Sequence, residues 1–287
     1  MQIGKAMTAS MIELQYLDLL QKIISTGDKR TGRNGDVFSL FGATLEHDLA
    51  QGFPLLTTKR MFWKGIVEEL AWFLRGSTDV SELHKVGVHI WDGNTVARSF
   101  DAGPVYGFQW RHYDADYTTC TADYQGKGTD QIAAVIDLIK ENPTSRRIIL
   151  SAWNPRQQSD MCLPPCHIMY QFYVRGTHLD CQMYQRSADA FLGLPFNIAS
   201  TALLTHLIAH ETGLHAGKIR LVLGDVHVYE EHVDVAMAQV DRKPFTMSLP
   251  HLAPLEREKD GLWNVKFADF NIMNYRHLTA LKAVMKA

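Results

Sequence analysis

Residues 167–185 read HIMYQFYVRGTHLDCQMYQ, in which two runs that contain β-branched or aromatic side chains flank the turn-like triplet RGT at 175–177. Such runs on either side of a short turn are typical of two paired strands. A third run of the same kind, RRIILSAW, occupies 146–153. The chain after residue 146 is therefore predicted to form a β-sheet.

Helical periodicity occurs on both sides of these strands. Gly27 and the pair Asn142-Pro143 are typical helix stops. The polar segment 93–128 is expected to be rich in loops, and the sequence contains no repeat or low-complexity tract. The predicted fold is a single α+β domain built on one large sheet. The segments predicted to be helical are 11–25, 61–75, 129–142, 197–212 and 228–240.

The bulk composition excludes several classes of protein. The 287 residues are 46% hydrophobic, enough to bury a substantial core. The formal net charge of −2 provides no overall basic field, so nucleic acid is not expected as the main partner and any anion must be held by local clusters. The N-terminal MQIGKAMTASMIELQ does not resemble an export signal, and no run of eighteen apolar residues occurs, so neither export nor membrane insertion is expected.

The cysteines Cys120, Cys162, Cys166 and Cys181 lack the paired C-x-x-C spacing of zinc sites, and a reducing, cytoplasmic location is expected. Cys166 follows two prolines in LPPCH, which stiffen the chain before a strand. A buried packing role would explain a lone cysteine equally well, because free cysteine is among the most buried residue types. A nucleophilic role requires neighbours that favour the thiolate.

Arginines could supply that environment and bind an anion. The candidates are Arg146 and Arg147 in SRRII, Arg186 beside Ser187 in YQRSAD, and Arg33 in RNGD. Charged doublets at strand ends are often merely solvated. Guanidinium groups nevertheless match phosphate oxygens in pairs, and one close to a thiol lowers its pKa. These residues therefore predict a phosphate site near a reactive cysteine.

Asn197 is the one polar side chain within FNIA at 196–199, in an otherwise apolar setting. It could cap a helix, or its amide could recognise a base. An amide offers both a donor and an acceptor, which match O4 and N3–H of uracil, whereas the amino group of cytosine favours a carboxylate. A buried pair of this kind discriminates strongly between bases.

Histidines in GDVHVYEEH at 224–232 raise the question of a metal. The spacing of His227 and His232 does not match H-E-x-x-H, so no metal is expected, and His227 with Tyr229 suits hydrogen bonding to a sugar hydroxyl. Glu69 lies among aromatic and aliphatic residues of a predicted helix. Because burying an isolated carboxylate is costly, Glu69 is a candidate functional residue.

A series of sequence blocks carries a resemblance to a known family. Together these blocks resemble the thymidylate synthase family in matching order, from about residue 25 to near the C-terminus. The segment 111–128 resembles the insertion of the animal-type enzymes. The blocks are RTGRNGDVFSLFG, GFPLLTTKR, EELAWFLRGST, IWD, GPVYGFQWR, SRRIILSAWNP, LPPCH, QRSADAFLGLPFNIAS and GDVHVY.

The resemblance implies one domain over 1–287, with one large mixed β-sheet flanked by helices, and a homodimer. It also implies that Cys166 adds to C6 of dUMP, so that C5 becomes a carbon nucleophile for the one-carbon unit of 5,10-methylenetetrahydrofolate. In the family, the residue matching Glu69 organises waters for proton transfer, and that matching Tyr106 belongs to the site where the C5 proton leaves. The implied chemistry is a one-carbon transfer without a metal.

The implied binding residues form two groups. Arg146 and Arg147 are expected to reach the phosphate from the second subunit, and Lys59 to meet the glutamate tail of the folate. The residues implied for dUMP are Arg33, Arg146, Arg147, Gln185, Arg186, Ser187, Asp189, Asn197, His227 and Tyr229. The residues implied for the folate are Lys59, Ile90, Trp91, Asn94, Asp189, Leu192, Gly193 and Phe196. Cys166, Glu69, Tyr106 and Asn197 are the implied catalytic residues.

Several positions depart from the family pattern. Ala102, Thr201 and Glu231 stand where leucine, tyrosine and asparagine are usual. Arg30 is an alternative to Arg33 as the phosphate arginine, because both lie in RTGRNGD.

The greatest departure is the end of the chain, where Lys286 and Ala287 replace an apolar tail that in the family closes over the folate. A looser lid favours attack by water, giving 5-hydroxymethyl-dUMP and tetrahydrofolate, whereas hydride transfer gives dTMP and dihydrofolate. Trp91 and Leu163, which in the family shield the intermediate, favour the synthase, and the tail favours the hydroxymethylase. An inactive homologue that binds nucleotide or RNA is disfavoured because the implied catalytic residues are present.

Overall fold

The computed structural model describes residues 10–246, 249–259 and 261–286. Residues 1–9, which begin the N-terminal stretch considered above, and the terminal Ala287 lie outside the described residues.

Four of the five segments that the hydrophobic periodicity predicts to be helical are helices in the structure. The predicted segments 11–25, 61–75, 129–142 and 197–212 are confirmed within a few residues, and the side chain of Asp130 caps one of them by accepting from the amide of Ala133. The helices are α1 Met11–Thr26, α2 Trp63–Leu74, α3 Ser81–Lys85, α4 Asp92–Thr95, α5 Tyr106–His112, α6 Gln131–Glu141, α7 Gly193–Thr212 and α8 Val233–Val240.

The strands form one six-stranded sheet in the order β1-β2-β6-β5-β4-β3 and a separate two-stranded ribbon of β7 and β8. The β5–β6 pair is parallel and the other pairs of the large sheet are antiparallel, so the predicted α+β fold with a mixed sheet is confirmed. The strands are β1 Asp28–Gly32, β2 Gly35–Asp48, β3 Ile149–Ser151, β4 His167–Arg175, β5 His178–Asp189, β6 His215–Tyr229, β7 His251–Leu252 and β8 Ile272–Met273.

The prediction of a helix over 228–240 was wrong at its start. Val228 and Tyr229 complete β6, and α8 begins only at Val233. The apolar residues of β6 alternate with polar ones, as expected for a strand that buries one face. Pairing with β2 and β5 on both sides overrides the weak helical periodicity of this short segment.

The parallel pair is joined by α7, which packs against both of its strands. Of the 20 residues of α7, most are buried all round the helix, as expected for a helix at the centre of a core. A parallel pair requires such a crossover connection, and it places the carboxyl ends of both strands at the same edge of the sheet. At this edge Ser187 lies opposite Asp225, and Asp189 lies opposite His227.

A buried carboxylate joins the N-terminal helix to the segment that precedes α2. Glu13 is 1% exposed and accepts hydrogen bonds from the amide and hydroxyl groups of both Thr57 and Thr58, over 2.7 to 2.9 Å. Gln239 donates to the hydroxyl of Thr58, and the amide of Leu278 donates to the carbonyl of Thr57. This junction therefore ties α1, α8 and the C-terminal segment to one loop.

The outward face of the sheet is less well covered than the face packed against α7. Tyr173 is 64% exposed and Ile149 is 40% exposed, while Tyr184 and Val222 are half-buried. Ile149 pairs in register with Gln171 of the neighbouring strand, so these side chains form part of one surface.

Candidate active site

A cavity of 730 Å³ opens at the edge of the sheet where the parallel strands end. It is walled by the β1–β2 turn, α2, the segment before β4, the ends of β5 and β6, and the start of α7. The structure brings most of the sequence-predicted residues together here. Those lining the cavity are Arg33, Glu69, Ile90, Trp91, Asn94, Tyr106, Leu163, Cys166, Gln185, Arg186, Ser187, Asp189, Leu192, Gly193, Phe196, Asn197, His227 and Tyr229.

Cys166 is held from both sides of its peptide unit. Its amide donates to the hydroxyl of Tyr106 over 2.7 Å, and its carbonyl accepts from the amide of Arg186 over 2.8 Å. The guanidinium of Arg186 donates to the carbonyls of Pro165 and Pro164, each over 2.8 Å. The prolines and these hydrogen bonds therefore leave little freedom in the position of the thiol.

Burial raises the pKa of the Cys166 thiol, while the charge of Arg186 and a hydrogen bond with Tyr106 lower it. The predicted stabilisation of the thiolate by an arginine is therefore present, but burial outweighs it. The arginine has two functions at this point, because it supports the loop and partly offsets the cost of a buried negative charge.

Glu69 faces the cavity from α2 among aromatic rings. The indole of Trp91 donates to its carboxylate over 2.8 Å, and burial raises the pKa of Glu69 to about 7 despite this hydrogen bond. Tyr106, which is 4% exposed, stacks on His167 with ring centroids 4.2 Å apart. A carboxyl group that titrates near neutrality is suited to transferring protons.

Asn197 lies one turn inside α7. The N-cap position of this helix is Leu192, so a capping role for Asn197 is wrong. Gln185 donates to the side-chain oxygen of Asn197 and to the carbonyl of Ser187, each over 3.0 Å. This orientation leaves the amide nitrogen of Asn197, and one lone pair of its oxygen, for a ligand.

His227 is oriented by Asp225, a residue that sequence reasoning missed. The carboxylate of Asp225 accepts from Nδ1 of His227 over 2.9 Å and from the hydroxyl of Ser39 over 3.0 Å. Nε2 of His227 is thereby left for the cavity. The sequence did contain a pattern that could have indicated Asp225. Asp225, His227 and Tyr229 are spaced two residues apart, which places them on one face of a strand.

The two candidate phosphate arginines differ in their surroundings, although both line the cavity. Arg30 forms an ion pair with Asp225 over 2.7 Å, whereas Arg33 lies exposed in the turn between β1 and β2. Arg30 therefore already neutralises a carboxylate.

Three sequence-predicted residues lie outside the described lining of the cavity. Lys59 is 5% exposed, and its ammonium donates to the carbonyl of Phe191 and lies over the ring of that residue. Burial lowers the pKa of Lys59 to about 7. Arg146 and Arg147 are exposed just before β3. Within one chain, Arg146 and Arg147 therefore lie apart from the others, whereas Lys59 is close enough to Asp189 for that carboxylate to oppose part of the effect of burial on its pKa.

The C-terminal segment contributes to the cavity. Met285 and Lys286 line it, and the ammonium of Lys286 pairs with the carboxylate of Glu231. The ring of His232, which is 2% exposed, donates to the carbonyl of Val284 over 3.0 Å. Two of the departures from the family pattern, Glu231 and Lys286, are thus partners of each other.

One wall of the cavity is apolar and aromatic, formed by Ile90, Trp91, Leu192 and Phe196. A wall of this kind suits a flat ring system. At its end the carboxylate of Asp189 is fixed by the amides of Phe191 and Leu192, over 2.9 and 3.1 Å. In the part of the chain that the structure describes, every helix is too short or too polar to span a bilayer.

Comparison with known proteins identifies the sequences that this chain resembles. A family model described as "Thymidylate synthase" matches residues 14–287. The thymidylate synthase of Homo sapiens is 48% identical over 285 residues, covering 95% of this chain and 90% of the human one. That of Equine herpesvirus 2 (strain 86/87) is 47% identical over 286 residues, covering 95% and 98%.

Longer proteins match as well. A protein named "Putative bifunctional dihydrofolate reductase-thymidylate synthase" from Oryza sativa subsp. japonica is 48% identical over 275 residues, which are 92% of this chain but 55% of that protein. This chain therefore spans about half the length of the bifunctional relatives that it matches.

The electrostatic role of Arg186 is testable through the reactivity of Cys166. In Arg186→Met we expect alkylation of Cys166 by iodoacetamide to shift to higher pH, because the loss of the cation raises the pKa of the thiol further. In Arg186→Lys, which keeps the charge, we expect a smaller shift. The measurement is the pH dependence of labelling of the Cys166 peptide by mass spectrometry.

Arg156→Met serves as the control, because Arg156 lies on the surface and pairs with Asp114 over 3.1 Å. A labelling curve for Arg186→Met that coincides with the wild-type curve would contradict the proposed effect of Arg186.

Proposed function

Because this chain belongs to the thymidylate synthase family, we propose that it transfers the one-carbon unit of 5,10-methylenetetrahydrofolate to C5 of dUMP, giving dTMP and dihydrofolate. The observation that carries the proposal is that Cys166, Glu69 and Asn197 line one cavity, although they lie far apart in the sequence. A nucleophile, a proton-transferring group and a group that recognises the base are the parts that this reaction requires.

The reaction begins when the Cys166 thiolate adds to C6 of the uracil, which turns C5 into a carbon nucleophile. C5 attacks the methylene carbon of the folate. The C5 proton then leaves at the site of Tyr106, and cleavage of the bond to the folate nitrogen leaves a methylene group on C5. Hydride transfer from the tetrahydrofolate completes the methyl group, and the Cys166–C6 bond breaks. Glu69, with a pKa of about 7, can relay protons through water in these steps.

Recognition of uracil is supported by the orientation of Asn197. Because Gln185 donates to its side-chain oxygen, the amide nitrogen of Asn197 remains to donate to O4 of the base. The second lone pair of the oxygen can accept from N3–H. Cytosine carries an amino group in place of O4. This donor would face the amide nitrogen of Asn197, which is also a donor, so both groups would be buried without a partner.

The rest of the nucleotide fits the polar end of the cavity. Arg33, Arg186 and Ser187 are proposed to hold the phosphate, and Arg33 is favoured over Arg30 because Arg30 already pairs with Asp225. Nε2 of His227, with Tyr229, is proposed to bind the 3′-hydroxyl of the deoxyribose.

The folate is proposed to lie on the apolar wall of Ile90, Trp91, Leu192 and Phe196, beside Asn94 and Gly193, with Asp189 binding the pterin. Contact between Lys59 and the glutamate tail remains a prediction. It requires the ammonium to leave the carbonyl of Phe191 and turn outward.

The function is tested by incubating the protein with dUMP and 5,10-methylenetetrahydrofolate and identifying both products by mass spectrometry. We expect dTMP with dihydrofolate, and no product from Cys166→Ser. Tetrahydrofolate with 5-hydroxymethyl-dUMP as the main products would instead establish the hydroxymethylase, and full biological effect of Cys166→Ser would indicate a non-catalytic homologue.

We also propose that the chain acts as a homodimer. The outward face of the sheet, with Tyr173 and Ile149 exposed, offers an apolar surface that a second copy can cover. Arg146 and Arg147 lie exposed next to this face and do not line the cavity of their own chain, which supports their reaching the phosphate site of a partner.

Shared sites are tested by mixing two inactive variants. We expect Cys166→Ser mixed with a variant carrying Arg146→Ala and Arg147→Ala to regain at most about one quarter of wild-type activity at limiting dUMP, because half of the dimers are hybrids with one intact site of two. In the control, Cys166→Ser is mixed with Glu69→Ala, whose residue belongs to the same chain's site, and no activity should return. Absence of recovery in the first mixture would contradict a shared site.

The chain is further proposed to act as one catalytic domain over residues 1–287 in a reducing compartment such as the cytoplasm. A single large cluster of buried apolar residues extends from Ile12 to Phe270, which supports one domain. The free state of all four cysteines fits a reducing compartment.

The ion pair between Lys286 and Glu231 is expected to hold the C-terminal lid closed and to protect the intermediate from water. In Glu231→Gln and Lys286→Gln we expect the ratio of 5-hydroxymethyl-dUMP to dTMP to rise by at most about fivefold, because exposed ion pairs contribute up to about 1 kcal/mol. The ratio is measured by mass spectrometry of the nucleotide products.

The matched control is Glu230→Gln, since Glu230 pairs instead with Lys29 over 2.6 Å. Exchange of the two charges, Glu231→Lys with Lys286→Glu, should return the product ratio towards the wild-type value. A ratio that stays at the wild-type value in both single variants would rule out the lid contact as a determinant of product.

A further inference from the structure

Two histidines and a carboxylate meet on the surface outside the nucleotide cavity. His84 lies on α3, Asp92 is the first residue of α4, and His89 lies between these helices. Nε2 of His84 is 2.6 Å from one oxygen of Asp92, and Nδ1 of His89 is 3.1 Å from the other. The possible ligand atoms of the three residues all lie within 4.8 Å of one another.

The segment that carries these side chains is well ordered by its own contacts. The ring of His84 stacks on that of His89 with centroids 4.8 Å apart, and it makes a T-shaped contact with the ring of Phe100, with centroids 4.7 Å apart. The amide of Val88 donates to the carbonyl of Leu83, and Gly87 turns the chain with a φ of +73°. The three groups are therefore brought together by the backbone.

We propose that His84, His89 and Asp92 form a binding site for a divalent transition-metal ion of the Zn²⁺ class. Two imidazole nitrogens and one carboxylate suit zinc and its neighbours, whereas Mg²⁺ and Ca²⁺ prefer oxygen ligands. The ion takes the place of the protons that now join each ring to Asp92, and each neutral imidazole carries its N–H on the other nitrogen. Water completes the coordination.

The distances require only a small adjustment. Ligand atoms 2.0 to 2.1 Å from a tetrahedral ion lie about 3.4 Å from one another. The longest separation, up to 4.8 Å, therefore has to shorten by about 1.4 Å, and the 2.6 Å contact between His84 and Asp92 has to lengthen by about 0.8 Å. His89, whose side chain is 61% exposed, is free to make most of this movement, while the more buried His84 stays in place.

The proposed metal site lies next to residues that line the nucleotide cavity. Ile90 and Trp91, which line it, lie between His89 and Asp92 in the chain, and Trp91 donates to Glu69. A bound ion would therefore join α3 to α4 and hold this segment in place. The binding of the ion does not depend on the function proposed above.

The first measurement is calorimetric titration of the chelator-treated full chain with ZnCl₂. We expect one Zn²⁺ per chain and at least a tenfold weaker binding in His89→Gln, because a lost ligand lowers affinity strongly. The control is His215→Gln, which alters a second pair of histidine rings, His178 and His215, with centroids 5.6 Å apart. Wild-type affinity in His89→Gln would overturn the proposal.

The second measurement is hydrogen exchange of the backbone amides with and without Zn²⁺. We expect the ion to slow exchange in a peptide covering 84–92 of the wild type and of His215→Gln, but not of His89→Gln. MgCl₂ at the same concentration should give no protection. Zinc-dependent protection confined to other segments, or equal protection by magnesium, would overturn the assignment of this site.

Discussion

The parallel pairing of β5 with β6 is the constraint on which the cavity depends. Because the two strands run in the same direction, their carboxyl ends leave the sheet at one edge, and the register sets Ser187 beside Asp225 and Asp189 beside His227. A slip of one residue would turn every side chain of a strand to the other face. The same edge receives Cys166, since β4 begins directly after it and pairs there with the end of β5. Residues far apart in sequence thus become neighbours through backbone hydrogen bonds.

Local sequence predicts the elements whose pattern is strong. β4 was predicted because β-branched and aromatic residues dominate it, β5 because the turn-like RGT joins it to β4, and α1, α2, α6 and α7 because their apolar residues recur at helical spacing. β6 was missed because Gly217 and Gly224, which disfavour a strand, interrupt its alternation of apolar residues with charged ones such as Lys218. Its strand character becomes clear only when it is paired on both sides, and the pattern of β2, with exposed Phe41 and Gly42 in its middle, was equally weak.

The residues that line the cavity were anticipated more fully than the fold around them, because the resemblance to a family concerns motifs of several residues. What the motifs could not predict is which polar groups are already occupied by partners in the folded chain. Arg30 is engaged by Asp225, and Lys59 is engaged by the carbonyl of Phe191, although both lie in recognised blocks. Such partners come from other parts of the chain, so the position of Asp225 at the edge of the sheet had to be observed.

The apolar surroundings of the cavity affect both its acid–base chemistry and the product proposed for it. The apolar surroundings that raise the pKa of Glu69 to about 7 also raise the pKa of Cys166, which opposes formation of the thiolate. The burial that raises the pKa of Glu69 to about 7 suits proton transfer near neutral pH, and the exclusion of bulk water would protect the proposed methylene group on C5 from hydration. The Cys166 thiol is therefore harder to ionise in a drier cavity, and Arg186 offsets part of this cost. The contact between Lys286 and Glu231 bears on this dryness, because it holds the segment that is proposed to close over the cavity.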